Sequence, residues 1–523
     1  MFKKLRSLIV RPKAEAASHY GASTTARELA SWFSTNGSAD ADLLDDLPLL
    51  RERTRDLARN HGIASGAVQT ITDNVVGTGF RLSAKPDYRA LGRDKTWADE
   101  WSNRIEALWR TWAEGTDCDV GRTLNFAGLT QLVFRSGLLN GEALALPLWQ
   151  PGGGAFATRI QVIEADRLCN PPGRGDGVRL RGGIEIDDYG APIAYWIRKS
   201  HPGDRFARGT TFAWMAVADD WERVPAFTDW GRRRVLHVHD KERTGQSRGK
   251  PLFSAVMKQF RMLDQYQTSE LQAAVINAMI AAFIETPLDQ GSIVEMFGGD
   301  TDEYLKSRAE YTEGRVRLKG GAVMPLYPGD KLSSFAPSRP SDVFAPFLDA
   351  QFRHMAAALN MPYELLLKDF SKTNYSSARA ALLEAWRFFN GRRQWLTAHW
   401  SQPVYELWLE EVVDAGLIEA PDFQEHRRAY ARSRWIGPGR GWVDPVKEAK
   451  AAQTRMDIGV STLENECAEQ GLDWEEVLEQ RARERERMAE LGLLETADAV
   501  SRQRLPGDPA ADGEQAAVAP GND

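Results

Sequence analysis

The hydrophobic period changes twice along this chain, and those changes restrict what it can fold into. From Asp46 to Leu82, "DLPLLRERTRDLARNHGIASGAVQTITDNVVGTGFRL", apolar residues recur at helical spacing until Gly77 and Gly79 break the pattern. "WADEWSNRIEALWRTWAEG" and "NFAGLTQLVFRSGLL", within 95–145, read as two further helices. Short β-rich runs then fill 141–240: "EALALPLWQ", "TRIQVIEADRL", "GGIEIDDYGAPIAYWIRK" and "RRRVLHVHD". "DDYGAP" between two apolar runs signals a hairpin. From Pro251 onward helical spacing returns. One β-rich block between helical regions defines an α+β chain with a mixed or antiparallel sheet domain.

The second helical region begins with "PLFSAVMKQFRMLDQYQTSELQAAVINAMIAAFI", where Pro251 suits a first helical position. Gly and Pro break up 285–340, with a strand-like "GRVRLKGGAVMPLY" inside, as expected of a small inserted module. "SDVFAPFLDAQFRHMAAALN" reads as a helix capped by Ser341 and ended before Met361-Pro362. A polar run, "KDFSKTNYSSAR", breaks into "ARAALLEAWRFF", with Ser376 or Ser377 as the expected cap. Residues 444–490 read as helical and densely charged, and a tail from about Glu495 as disordered.

Composition narrows the function classes. Length 523 suffices for two to four domains with full cores, and 27% charged residues are ordinary for a soluble protein. A net charge of −7 argues against a high-affinity nucleic-acid binder, but not against a surface along which DNA slides. Cys118, Cys169 and Cys467 lie far apart, without metal-ligand spacing or a disulfide framework. No apolar run approaches the roughly 20 residues of a membrane span. Seventeen Trp is a heavy load; helical ones such as Trp101, Trp109, Trp112, Trp386, Trp395, Trp400 and Trp408 suit a core first and subunit contacts second.

Four motifs invite chemistry. "GQSRG", Gly245–Gly249, matches a nucleophile elbow and offers the alternative of a serine hydrolase using Ser247. The charged "DKERT" separates it from its strand, so a Gly-rich turn is the better reading. "HVHD" places His237 and His239 on one strand face, without further ligands to complete a metal site. "GPGRG", Gly437–Gly441, lacks phosphate-loop spacing. "SKTNYSSAR" has neither an acid–base partner nor glycines to cradle phosphate. No catalytic residue, metal or cofactor is expected.

Taken together, several stretches resemble the lambda-type family of tailed-phage portal proteins: "RTRDLARNHGIASGAVQTITDNVVGTGFRL", "QVIEADRL", "VLHVHDKERTGQSRGKPLF", "LYPGDKLSSFAPSRPSDVFAPF", "AAALNMPYELLLKDFS", "NYSSARAALLEAWR" and "WIGPGRGWVDPVKEAKAAQTRMDIGVSTLENECAEQGLDWEEV". These matches run in order across about residues 40–490. The resemblance implies an α+β portal fold: mainly helical, with a β-rich wing, paired stem helices, a small α/β clip and a helical crown. On the sequence this gives an N-terminal arm (1–40), wing (41–250), long helix into the stem (251–289) and clip (290–340). A second stem helix (341–366), tunnel loop (367–379), helix returning to the wing (380–425), crown (426–494) and tail (495–523) follow.

The implied function is a homo-oligomeric ring of twelve at the unique capsid vertex of the virion, assembled in the host cytoplasm. It would conduct double-stranded DNA during packaging and ejection, without catalysis or a membrane. The implied partners are the terminase large subunit, the major capsid protein and scaffold, and head-completion or adaptor proteins. Lys368, Ser371, Lys372, Thr373, Asn374, Tyr375, Ser376 and Arg379 would line the channel. The remaining alternative is a non-ring capsid or scaffold interaction protein.

Overall fold

The eight-residue strand Glu142–Trp149 runs antiparallel between Thr158–Ile163 and Leu236–His239, with Leu144 opposite both Ile163 and His237. A second, four-stranded antiparallel sheet follows in chain order, from Leu180–Arg181 through Ile184–Ile186 and Pro192–Arg198 to Trp221–Pro225. Alternation buries Ile184, Ile186, Tyr195, Ile197 and Val224 in one core with Leu144, Ile163, Leu168 and Val235. Each such side chain contributes roughly 1.5–3 kcal/mol of burial. The expected hairpin is present: Asp187 Oδ1 accepts from the amides of Tyr189 and Ala191, and Gly190 takes a φ of 82°.

This computed structural model describes residues 31–493, apart from 33, 35, 153, 205–219, 280–282, 286–305, 307–330, 334–343 and 443. The tail, most of the N-terminal arm and most of 290–340, with its strand-like run and the Ser341 cap, lie outside the described residues. The chain divides into two units. One holds the sheets above and comprises 1–52, 117–123 and 136–251; the other comprises 53–116, 124–135 and 252–523.

The second unit is mainly helical. Helix Lys95–Glu114 presents Ala98, Trp101, Ile105, Trp109 and Trp112 inward, at helical spacing. Trp109 lies 4.9 Å from Trp112, 5.1 Å from Phe126, 5.1 Å from Trp408 and 5.6 Å from Tyr405, ring centre to ring centre. Trp400 stacks on Phe126 at 6.0 Å and donates its indole N–H to Thr130 Oγ1 at 3.0 Å. Trp101, Trp109, Trp112, Trp400 and Trp408 are therefore core, whereas Trp386 and Trp395 are only half-buried; removing one such core ring costs about 3–5 kcal/mol. Beside this core, strand Arg81–Ala84 pairs antiparallel with Ser433–Ile436.

Several expected boundaries move. Pro251 does not open the long helix: a 3-10 turn, Leu252–Ala255, seats Phe253 on Phe260 at 5.4 Å, and the helix is Met257–Met279. By Phe283–Glu285 the chain is already a strand, paired with Lys331–Ser333, so the long helix does not continue through that segment. Helix Phe344–Ala358 ends as expected before Met361-Pro362, with Asn360 left-handed. The helix expected from 380 starts at Tyr375, runs to Leu396, and is interrupted by a π-turn, Thr397–Ser401, before Gln402–Asp414. The crown range 426–494 includes strand Ser433–Ile436, besides helices Pro445–Asp457, Leu463–Glu469 and Trp474–Glu490.

Candidate functional site

The segment Lys368–Arg379 is built from a helix end and a helix start. Tyr363–Leu367 closes with Lys368 in the left-handed region (φ 56°), its N–H bonded to Glu364 O. Asp369 Oδ1 accepts from the Ser371 amide at 2.9 Å, and the Thr373 amide donates to Phe370 O at 3.2 Å. Asn374 then caps the helix Tyr375–Leu396, its Oδ1 accepting from the Ser377 amide at 2.8 Å. The cap is therefore neither Ser376 nor Ser377. Both lie in the first turn, which places Tyr375, Ser376 and Arg379 on the helix rather than in the loop.

The cations of this segment differ in engagement. Lys372 Nζ sits 2.7 Å from Asp349 Oδ2, and Tyr363 donates its hydroxyl to Asp349 Oδ1 at 3.0 Å. The hydrogen bond from Lys372 holds the Asp349 carboxyl below its ordinary range and raises the Lys372 ammonium in turn. Hydrogen bonds from Ser371 likewise lower Asp369. Lys368 and Arg379 are exposed and carry no ion pair among the described residues. Ser371, Lys372, Asn374, Tyr375 and Ser376 are exposed as well, and Thr373 is half-buried. The surface is polar, weakly cationic and held by its own turns.

"GQSRG" has a structural role. The Ser247 hydroxyl donates to Asp40 Oδ2 at 2.8 Å and its amide to Oδ1 at 2.7 Å, so an aspartate occupies the place a catalytic histidine would need. The next residue matters more. Arg248 is buried against Glu142: its Nε lies 2.8 Å from Oε1, and its terminal Nη2 makes a second contact. Arg51 Nη2 reaches the same Oε1 at 2.6 Å, and His237 Nε2 lies 2.9 Å from Oε2. Burial opposes the charge on Glu142, but Arg248, Arg51 and His237 outweigh it and hold the carboxyl well below its usual range. His239 stacks on His237 at 4.1 Å with both ring nitrogens buried and unbonded, and burial pushes it down to about 2.

This network joins positions 51, 142, 237 and 248, which no motif spacing connects. Of these, only His237 stands in a pair read for its own sake, in "HVHD", and Arg248 merely falls inside "GQSRG", which is read for Ser247. "GPGRG" is also a packing device: a Cβ on Gly439 would come within 2.6 Å of Gln470 O, and Arg440 pairs with Glu469 at 3.7 Å. Among the described residues no group of three metal-ligating side chains converges, and no helix is long and apolar enough to cross a membrane. Cys118, Cys169 and Cys467 form no disulfide, and burial raises Cys118 to about 12.

Comparison with known proteins places these observations. Residues 25–393 match the family of phage portal proteins, lambda family. The portal protein B of Escherichia phage lambda is 33% identical over 487 residues, covering 90% of this chain and 89% of the relative. The portal protein of Escherichia phage N15 is 33% identical, covering 90% of each. The probable portal protein of Halomonas phage phiHAP-1 is 28% identical, covering 88% of this chain and 85% of that one. Among solved structures, the neck of an empty GTA particle aligns with a TM-score of 0.44 at 15% identity, over 82% of this chain and 93% of that chain. The neck of a native GTA particle gives 0.41 at 14% identity, over 73% and 92%.

The chain belongs to the lambda family of phage portal proteins. It is a structural component of the phage head–tail connector rather than an enzyme, and serves genome packaging and ejection.

Proposed function

We propose that this portal acts as a ring of twelve at the capsid vertex, with Lys368–Arg379 from every subunit lining the DNA channel. The supporting observation is the make-up of that segment: exposed Ser371, Asn374, Tyr375 and Ser376, with Lys372 engaged by Asp349. A closed ring repeats each side chain once per subunit. Hydroxyls and amides so repeated offer weak, exchangeable hydrogen bonds to passing phosphates, whereas dense cations would hold DNA by counterion release. In this reading 41–250 forms the wing, 251–289 and 341–366 the stem, 290–340 the clip, 380–425 the helix returning to the wing and 426–494 the crown. The terminase large subunit docks on the clip during packaging, and head-completion or adaptor proteins follow. The major capsid protein and scaffold surround the ring as it assembles in the host cytoplasm.

The test adds cations without breaking the fold. Asn374 is unsuitable because it caps the helix; Ser371 and Ser376 are exposed, with side chains that cap nothing. Ser371→Arg with Ser376→Arg should leave ring yield unchanged and shorten the DNA packaged per particle, with partial relief as salt rises. Normal packaging at every ionic strength by intact mutant rings places this segment away from the DNA path.

A further inference from the structure

The C-terminal helices of the second unit are attached with very little hydrophobic burial. No residue of Pro445–Asp457 or Trp474–Glu490 is buried, and between 445 and 493 only Cys467 and Asp473 are. Charge takes the place of a core. Glu476 pairs with Arg81 and, at 3.3 Å, with Arg110; Glu464 pairs with Arg434 at 3.1 Å and Lys85 at 3.6 Å. Both carboxylates belong to the C-terminal segment. Their four cationic partners belong to the two-stranded sheet, its edge and helix Lys95–Glu114.

Under this contact lies Glu106, on the inner side of helix Lys95–Glu114, its Oε1 accepting from the Ala84 amide at 2.7 Å. A cavity of about 270 Å³ opens beside it, lined also by Arg81, Arg110, Glu114 and Glu476. From the docked segment the carboxylates of Asp473, which caps helix Trp474–Glu490, and Glu475 act on Glu106 through their charge. From the sheet edge it faces Lys85, and from helix Gln402–Asp414 the buried hydroxyl of Tyr405. A charged Glu106 thus meets two carboxylates that the docked segment itself brings.

We propose that Leu463–Glu490 is an electrostatic clamp, closed on the sheet while Glu106 is neutral and opened when Glu106 becomes charged. Burial, then the carboxylates of Asp473 and Glu475, raise Glu106 to about 7 against the opposing Ala84 N–H and Lys85. Burial raises Glu475 as well. For a carboxyl raised in the closed state, the stabilisation is complete below the ordinary value of 4.5 and is lost as pH climbs through about 7. If opening restores the ordinary value, the closing equilibrium falls about tenfold between about pH 6 and about pH 8.5. Added salt screens the half-exposed pairs of Glu464 and Glu476 and opens the clamp by a separate route.

The measurement is amide hydrogen exchange on the full-length assembled protein, corrected for intrinsic rates, following Trp474–Glu490 against helix Lys95–Glu114 as an internal reference. Protection of Trp474–Glu490 should fall about tenfold across that pH interval, with Lys95–Glu114 unchanged. Glu106→Gln, which keeps the acceptor for Ala84, should hold the protection flat at its high value. Asp473→Asn keeps a capping side chain and should move the step to lower pH. A flat wild-type profile, an unaltered step in either variant, or parallel loss in Lys95–Glu114 overturns the clamp.

Discussion

A carboxylate shut away from water needs compensation from protein groups, and Glu142 finds it in two guanidinium groups and an imidazole. Removing one partner leaves a charge stranded, which costs more than the pair contributes. Arg248→Met should therefore lower the unfolding free energy by about 3–5 kcal/mol. The triple change of Arg51, Glu142 and Arg248 to Met should cost less than the sum of the three single changes, and urea unfolding of each variant measures this. His239 adds a pH dependence. Its folded-state value of about 2 lies below the ordinary 6.5, so its neutral ring favours the fold fully above pH 6.5. That advantage is lost as pH falls towards 2, at up to about 1.4 kcal/mol per pH unit. His239→Gln should flatten the acid limb of stability against pH.

Helix starts and interruptions follow from local chemistry that hydrophobic spacing does not record. "KTNYSS" contains several residues able to cap, and the hydrogen bond from Ser377 to Asn374 selects one of them. Asn374→Ala should destabilise helix Tyr375–Leu396 by about 1 kcal/mol, and Ser376→Ala by much less, as read from exchange in its first turns. The π-turn Thr397–Ser401 sits just before Pro403, which has no N–H to continue an α-helical ladder; Gln402 instead bonds back to Thr397 O. The spacing of "RFFNGRRQWLTAHW" showed a helix and not the extra residue. The helical and β-rich blocks were legible because their periods differ, and so were the hairpin at Asp187–Ala191 and the end before Pro362. The Glu142 network was not, because its members are brought together only by tertiary structure. Of the proposed channel segment, the polar surface could be read from residue types alone; the engagement of Lys372 by Asp349, 23 positions earlier, could not.

At the level of the assembly, the proposed ring depends on contacts between protein subunits, so nuclease treatment should leave its mass unchanged in native mass spectrometry. A monomer at micromolar concentration and moderate salt would contradict it. The nesting of the two units has a consequence for biosynthesis. All residues of the β-rich unit have been made once Pro251 is added, whereas the other unit begins at Arg53 and is completed only near the end of the chain. Helix Lys95–Glu114 is thus synthesised long before Tyr405 and Trp408, against which Trp109 packs. At about 5–20 residues per second, the roughly 300 residues between them take about 15–60 s. Throughout that interval the nascent chain carries an uncovered tryptophan face. Messages truncated between codons 251 and 400 should therefore yield a folded β-rich unit trailing a sticky helical remnant, a natural client for chaperones at the ribosome exit.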